Sequence, residues 1–302
     1  MRFAIPNFFA VGAMKAGTTS LYNYLSEHPQ VYLSPIKEPH YFCKDVNMTD
    51  FSSGYRRTIL RDYSRYLSER PRKRVHSAHI RELSEYRKLY TGVHSERAIG
   101  EFSNSYLYST IAAKEIRKFN PNSKIIMILR NPIDRAYSHY WMDIRIGIET
   151  ESFERIVALE SKLQSAKWGR DRCYLHLGLY HDQVQRYFDE FDKNMILVLL
   201  YDDFKNDVEQ LLKEIYRFLQ VEQDHFPENL SAVNKATVPR LRAINHLLFK
   251  ANIKNIAAQV VPQKWRRPLY SIFILPILSR CRIGRERCLS TILKKIFRNW
   301  RG

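Results

Sequence analysis

The sequence predicts an α/β fold in which a central parallel sheet carries helices on both faces. Three observations support this. Short, continuously apolar runs recur at residues 8–11, 124–130 and 195–201, the pattern of strands buried on both faces. Each run leads through a short loop into a segment with helical spacing, and strands alternating with helices belong to parallel sheets. The chain of 302 residues is 45% hydrophobic and 26% charged, which excludes a disordered or collagenous polymer and allows a sizeable core.

The first run, Phe8-Phe-Ala-Val11, feeds directly into Gly12-Ala13-Met14-Lys15-Ala16-Gly17-Thr18-Thr19. Leu21, Tyr24, Leu25 and His28 then recur at helical spacing until Pro29 stops the pattern. Residues 45–95 are polar and rich in tyrosine and arginine, with helical character near 62–69 and 79–89; they read as loops and helices rather than sheet. The second run ends at Arg130, followed by Asn-Pro and a helix expected over 134–143. Gly178-Leu-Tyr180 opens a helical stretch to Phe191. The third run passes through Asp202 and Asp203 into a helix marked by Val208, Leu211, Leu212, Ile215, Phe218 and Leu219. In open α/β sheets ligands sit beyond the carboxyl ends of the strands, so the loops after Val11, Leu129 and Tyr201 are expected to meet at one cleft.

Charge divides the chain. Lys and Arg number 49 against 31 Asp and Glu, a formal net charge of +18, and residues 240–302 hold fifteen of the cations against one acid, Glu286. The expected organisation is a sheet domain over 1–240 and a basic, helical extension over 241–302 that packs on the same domain or continues it. A basic block of this kind suits an anionic partner. Leu289, Ile292, Leu293, Ile296, Phe297 and Trp300 share one helical face, fit for docking on a core or for peripheral contact with an anionic membrane. The longest apolar stretch, 268–279, is broken by Pro276 and too short to span a bilayer. Cys43, Cys173, Cys281 and Cys288 show neither paired zinc spacing nor a disulfide framework, so no metal site and a reducing compartment are expected.

Two segments carry chemistry. Glycines 12 and 17 let the loop after the first strand turn its amides inward, and the helix that follows offers its positive end to an anion, as in a P-loop. The standard P-loop places lysine immediately after the second glycine; here Thr18 holds that position and the lysine lies inside the loop as Lys15. A plain strand-to-helix turn with a solvated lysine is the competing reading. Arg130, at the end of a buried strand, and Ser138, eight residues on, offer a guanidinium and a hydroxyl to one phosphate; an ion pair of Arg130 with Asp134 is the alternative.

Together these residues resemble the sulfotransferases that use 3′-phosphoadenosine 5′-phosphosulfate (PAPS). The resemblance covers residues 6–240 and implies that Ala13, Met14, Lys15, Ala16, Gly17, Thr18 and Thr19 hold the 5′-phosphosulfate. It further implies that Arg130 and Ser138 bind the 3′-phosphate, that Tyr180 belongs to a segment closing over the nucleotide, and that Lys235 and Arg240 lie on a late basic loop capping the 3′-phosphate. Ser34-Pro-Ile-Lys37-Glu38-Pro-His40-Tyr-Phe42 is similar to the Glu-Pro-His-Phe-Phe element of heparan-sulfate and related carbohydrate sulfotransferases, whose glutamate is the general base. Glu38 and His40 are therefore candidate catalytic residues beside Lys15. Taken without the resemblance, Glu38 would pair with Lys37 or Lys44 at the surface and His40 would be a packed core residue. Glu101-Phe102-Ser103-Asn104-Ser105-Tyr106 is similar to a Glu-Lys-Thr-Pro-Ser-Tyr element in which the lysine faces the transfer site. Phe102 replaces it, which argues against heparan sulfate as acceptor.

The expected activity is in-line sulfuryl transfer from PAPS to a hydroxyl or amine of a carbohydrate or glycolipid-type acceptor, acidic in character, with adenosine 3′,5′-bisphosphate as product. The alternative is a kinase or nucleotidase using ATP and Mg²⁺, with Asp202 holding the metal. Nucleic acid is not an expected partner, because a few placed cations explain the nucleotide site better than bulk charge. A cytoplasmic, bacterial-type enzyme is expected, or a Golgi-lumenal one if the sequence is the ectodomain of an anchored chain.

Overall fold

Five strands form the parallel sheet: β1 (Phe8–Gly12), β2 (Val31–Leu33), β5 (Ala98–Phe102), β6 (Lys124–Leu129) and β7 (Ile196–Leu200), in the order β2-β5-β1-β6-β7. In the computed structural model the described residues are 4–59, 62–69, 73–228, 230, 237–239 and 274–276. β1 lies in the middle, pairing with β5 on one side and β6 on the other, and every one of its residues is buried. That is why its sequence is apolar without alternation. β7 differs from the expectation of a strand covered on both faces. Among the described residues it is the edge strand, and Val198 and Leu200 are 37% and 54% exposed.

Helix α1 (Thr18–Leu25) follows the loop after β1. Residues 45–95 are mostly loop and helix, as expected, with α2 (Ser53–Arg56), α3 (Tyr63–Ser68) and α4 (Leu83–Lys88). They also contain a strand that the sequence reading excluded. β4 (Val75–Ser77) pairs in parallel with β3 (Ile36–Glu38), in register Ile36 to Val75 and Glu38 to Ser77. Three residues are too few to show a period of two. After β5 come α5 (Ser105–Tyr108) and α6 (Ala112–Phe119); α9 (Tyr180–Glu190) and η-type residues 193–195 precede β7, so strand character starts at Ile196 rather than Met195. Tyr201 opens the short helix α10 (Tyr201–Asn206), and α11 (Val208–Leu219) buries the anticipated Leu211, Leu212, Ile215 and Leu219. The Asp207 carboxylate caps α11 by accepting the Gln210 N–H.

The chain divides into two compact units. The first holds the sheet and comprises residues up to 131, with 167–171 and 179–233. The second begins at α7 (Pro132–Ile146), which is longer at both ends than the 134–143 expected because Pro132 suits the first helical position. With α8 (Phe153–Glu160) it encloses a separate cluster of Ala136, Tyr140, Ile144, Phe153, Ile156, Val157 and Tyr174. The Glu160 carboxylate ties 174–176 down by accepting three consecutive backbone N–H groups. β8 (Thr237–Pro239) and β9 (Ile274–Pro276) pair antiparallel. The rest of the expected 241–302 extension, including the amphipathic face from Leu289 to Trp300, lies outside the described residues.

Among the described residues no helix is long and apolar enough to cross a membrane. Cys43 and Cys173 are buried.

Candidate active site

The carboxyl ends of β1, β6 and β7 meet as the topology demands. In the loop after β1, Lys15 (φ 69°) and Gly17 (φ 87°) adopt the left-handed conformation. At Gly17 only glycine fits, since a Cβ there would lie 2.8 Å from the Phe204 ring of α10. The N-cap of α1 is Gly17, which has no side chain to turn onto the amides of the first turn at Thr18, and a helix N-terminus attracts anions. Arg130, just past β6, donates from Nη1 to the Lys15 carbonyl at 2.9 Å. Its guanidinium lies 4.5 Å from the centre of the Tyr201 ring, a cation–π contact. One arginine thus braces the loop and touches the end of β7.

Ala13, Ala16 and Thr18 are buried; Met14, Lys15, Gly17 and Thr19 are half-buried. Tyr180, half-buried, opens α9 in the same unit. Ser138 stands half-buried on α7, in the second unit. Lys235 and Arg240 lie outside the described residues. Asp202, which a phosphoryl-transfer chemistry would need on a metal, is exposed in the first turn of α10. The strand before it, β7, is separated from β1 by β6.

Glu38 ends β3 and is 7% exposed, so it does not form the surface ion pair that its sequence context suggests. Its Oε1 accepts from Lys37 Nζ at 3.0 Å and from Asn104 Nδ2 at 2.7 Å, with His76 Nε2 at 3.9 Å; Oε2 faces His40 Nε2 at 3.5 Å. Lys44 points elsewhere, over the Tyr41 ring. Burial by itself would raise the Glu38 pKa, but Lys37, His76 and His40 outweigh it and bring it down to about 2. His40 is buried and held at φ 52°, with Nδ1 2.5 Å from Ser105 Oγ and Nε2 3.1 Å from Ser77 Oγ. Burial lowers its pKa to about 4 against the pull of Glu38, so the ring is neutral at pH 7. It stacks on His79, centroids 4.5 Å apart.

His76 is exposed beside Glu38. Glu38 favours its charged form, but partial desolvation, Lys37 and Lys15 lower its pKa overall. Its ring therefore feels both the glutamate and the loop lysine.

The segment after β5 holds Glu38 and His40 in place, and local sequence gave no sign of this. Ser103 Oγ accepts the His40 N–H at 3.3 Å, Ser105 reaches the His40 ring, and Tyr106 OH accepts the Phe42 N–H at 3.2 Å. Glu101 anchors the segment from below, fully buried. Its Oε2 accepts from Tyr86 OH at 2.5 Å and Tyr90 OH at 3.1 Å, its Oε1 from Ser103 Oγ at 3.3 Å. Burial raises its pKa to about 7 despite hydrogen bonds from Tyr106, Tyr86, Tyr90 and Ser103. Phe102, which stands in place of a lysine in the similar element, is fully buried with its ring 5.5 Å from Tyr22. The only signal for this segment was its similarity to an element near the transfer site.

The known proteins to which this chain is similar include sulfotransferases. A family model described as "Sulfotransferase family" matches residues 6–225. The crystal structure of a sulfotransferase from Alicyclobacillus acidocaldarius is similar at 34% identity and a TM-score of 0.62, covering 87% of this chain and 99% of that one. Human carbohydrate sulfotransferase 15 is 25% identical over 247 residues, 72% of this chain and 44% of its own length. The Drosophila melanogaster bifunctional heparan sulfate N-deacetylase/N-sulfotransferase is 25% identical over 265 residues, 86% of this chain and 22% of its own. The chain thus spans less than half the length of these curated relatives.

Proposed function

This chain belongs to the sulfotransferase family, and from that premise we propose that it transfers a sulfuryl group from PAPS to a hydroxyl of a carbohydrate, releasing adenosine 3′,5′-bisphosphate. The observation that carries the reading is a buried Glu38 whose partner Asn104, bonded to it at 2.7 Å, has its carbonyl 3.6 Å from where a Cβ of Gly12 would be, at the start of the loop that holds Lys15. A base for the acceptor and a cation for the leaving group thus belong to one site. The residues fit the donor. The N-cap of α1 is a glycine without a side chain, and Arg130 offers a charged fork beside the loop.

PAPS supplies the sulfuryl group; the protein supplies positions and charges. Glu38 accepts the proton of the acceptor hydroxyl through Oε2 as the acceptor oxygen bonds to sulfur. The bond between sulfur and the 5′-phosphate oxygen breaks, and Lys15 stabilises the negative charge left on that oxygen. The amides of residues 14–19 and the Thr18 and Thr19 hydroxyls hold the phosphosulfate in line, and Arg130 is assigned to the 3′-phosphate. Neutral His40, fixed by Ser105 and Ser77, orients Glu38 and the acceptor.

The test is transfer of labelled sulfate from PAPS to a panel of carbohydrate acceptors, paired with thermal shift. Stabilisation by adenosine 3′,5′-bisphosphate without metal supports the proposal. Stabilisation by ATP with Mg²⁺ and none by the bisphosphate would reject it.

A further inference from the structure

Asn104 stands at the N-cap of α5, where asparagine ordinarily turns its side chain onto the helix amides, yet it makes no capping bond there. Its Nδ2 instead donates to Glu38 Oε1 at 2.7 Å. An ionised carboxylate only accepts hydrogen bonds, so the charge on Glu38 dictates which end of the amide faces it, and Oδ1 must point the other way. Asn104 is 8% exposed, and among the described residues its Oδ1 has no hydrogen-bond partner. A buried carbonyl without a donor is costly, and a ligand that brings one would remove that cost. The place is right for a ligand. The backbone of Asn104 also adjoins the phosphate loop, its carbonyl 3.6 Å from where a Gly12 Cβ would be. In the Glu-Lys-Thr-Pro-Ser-Tyr element that residues 101–106 are similar to, proline occupies this position, and proline offers neither group.

We infer that Asn104 is a specificity-determining residue for the acceptor: Nδ2 steadies the general base, and Oδ1 takes a hydrogen bond from a hydroxyl neighbouring the one that reacts. This rests on the sulfotransferase reading above. Glu38 Oε1 is occupied by Lys37 and Asn104, which leaves Oε2 to the reacting hydroxyl. The carboxylate and the amide are joined by the 2.7 Å bond, so groups held by each come from one part of the acceptor, as two adjacent hydroxyls of one sugar ring do. The acceptor class is therefore a pyranose presenting neighbouring hydroxyls.

The experiment measures sulfate transfer from PAPS to p-nitrophenyl pyranosides and to their monodeoxy derivatives, each lacking one hydroxyl. For the wild-type protein, removing the neighbouring hydroxyl should lower kcat/KM about tenfold or more, the worth of one buried hydrogen bond. Asn104→Ala should bring the parent glycoside down to a similar level and make the enzyme indifferent to the deoxy change. It should also move the acidic limb of kcat/KM to higher pH, because Glu38 loses a donor, an effect that a merely structural role would not produce. An equal deoxy penalty in both proteins overturns the inference. So does absence of transfer to any pyranoside by a protein that binds adenosine 3′,5′-bisphosphate. Absence of bisphosphate binding refutes the sulfotransferase reading instead, and the inference falls with it.

Discussion

Glu101 offers the sharpest test of the electrostatics behind the site. It is fully buried among three tyrosines and Ser103, and burial raises its pKa from an ordinary 4.5 to about 7. The native state therefore holds the proton more tightly than the unfolded chain. Its contribution is fully present below pH 4.5 and is lost as pH rises through 7. A shift of 2.5 units, 4.5 to 7, corresponds to about 3 kcal/mol at 1.36 kcal/mol per unit. Glu101→Gln replaces the acid with a neutral group of the same shape that has no proton to lose. Urea unfolding of both proteins should give similar stabilities near pH 4.5, with the variant ahead by about 3 kcal/mol at pH 8. The comparison must be made between the two proteins, because His40 and His79 act in the opposite sense. Burial lowers their pKa values to about 4 and about 2, so they add stability as pH rises toward 6.5. A difference between wild type and variant that stays constant from pH 4.5 to 8 would refute the reasoning.

Other outcomes follow from the same geometry. Lys15→Ala and Glu38→Gln should each lower kcat on the order of 10²–10³, and near-wild-type turnover in either would remove that residue from the mechanism. Glu38→Gln should also destabilise the protein at pH 7 by about 3 kcal/mol, since a pKa depressed from 4.5 to about 2 contributes stability above pH 4.5. That gap should close as pH falls toward 2, as followed by urea midpoints. Gly17→Ala meets both a φ of 87° and the Phe204 ring; a cost of about 1–2 kcal/mol for the backbone alone should appear as a lower Tm, with weakened stabilisation by adenosine 3′,5′-bisphosphate.

Legibility in the sequence depended on how local each signal was. β1 and β6 were plain because a central parallel strand is apolar on both faces, and Arg130 drew notice as a charge at the end of such a run. β7 looked the same in sequence but stands last in the strand order among the described residues, and Val198 and Leu200 do not reveal from their identity that they are 37% and 54% exposed. β4 escaped because three residues show no period. In the site, Lys15 and Glu38 could be found from contiguous motifs, and the loops after Val11, Leu129 and Tyr201 meet through Arg130, which bonds the Lys15 carbonyl and lies on the Tyr201 ring. The partners of Glu38 could not. Asn104 is 66 residues away in sequence, and an asparagine before a helix normally signifies a cap. The burial of Lys37 and Glu38 was equally hidden, since adjacent opposite charges usually mark a solvated surface.

The depressed pKa of Glu38 bears on the kind of base it can be. General bases work best with a pKa near the working pH, and a carboxylate near 2 is far from that. A strong base is needed when the nucleophile must be ionised before attack. It is not needed when the transition state is loose, with little bonding to the incoming oxygen, as in most analyses of phosphoryl transfer, which sulfuryl transfer resembles. The acceptor then keeps its proton until its oxygen has begun to bond to sulfur, and only at that stage does the proton become acidic enough for a weak base to take. What such a site requires is a carboxylate that is always ionised and always in the same place. Lys37 and Asn104 on one oxygen and His40 beside the other meet both requirements. The cations that weaken Glu38 as a base are the ones that keep it ready as a proton acceptor.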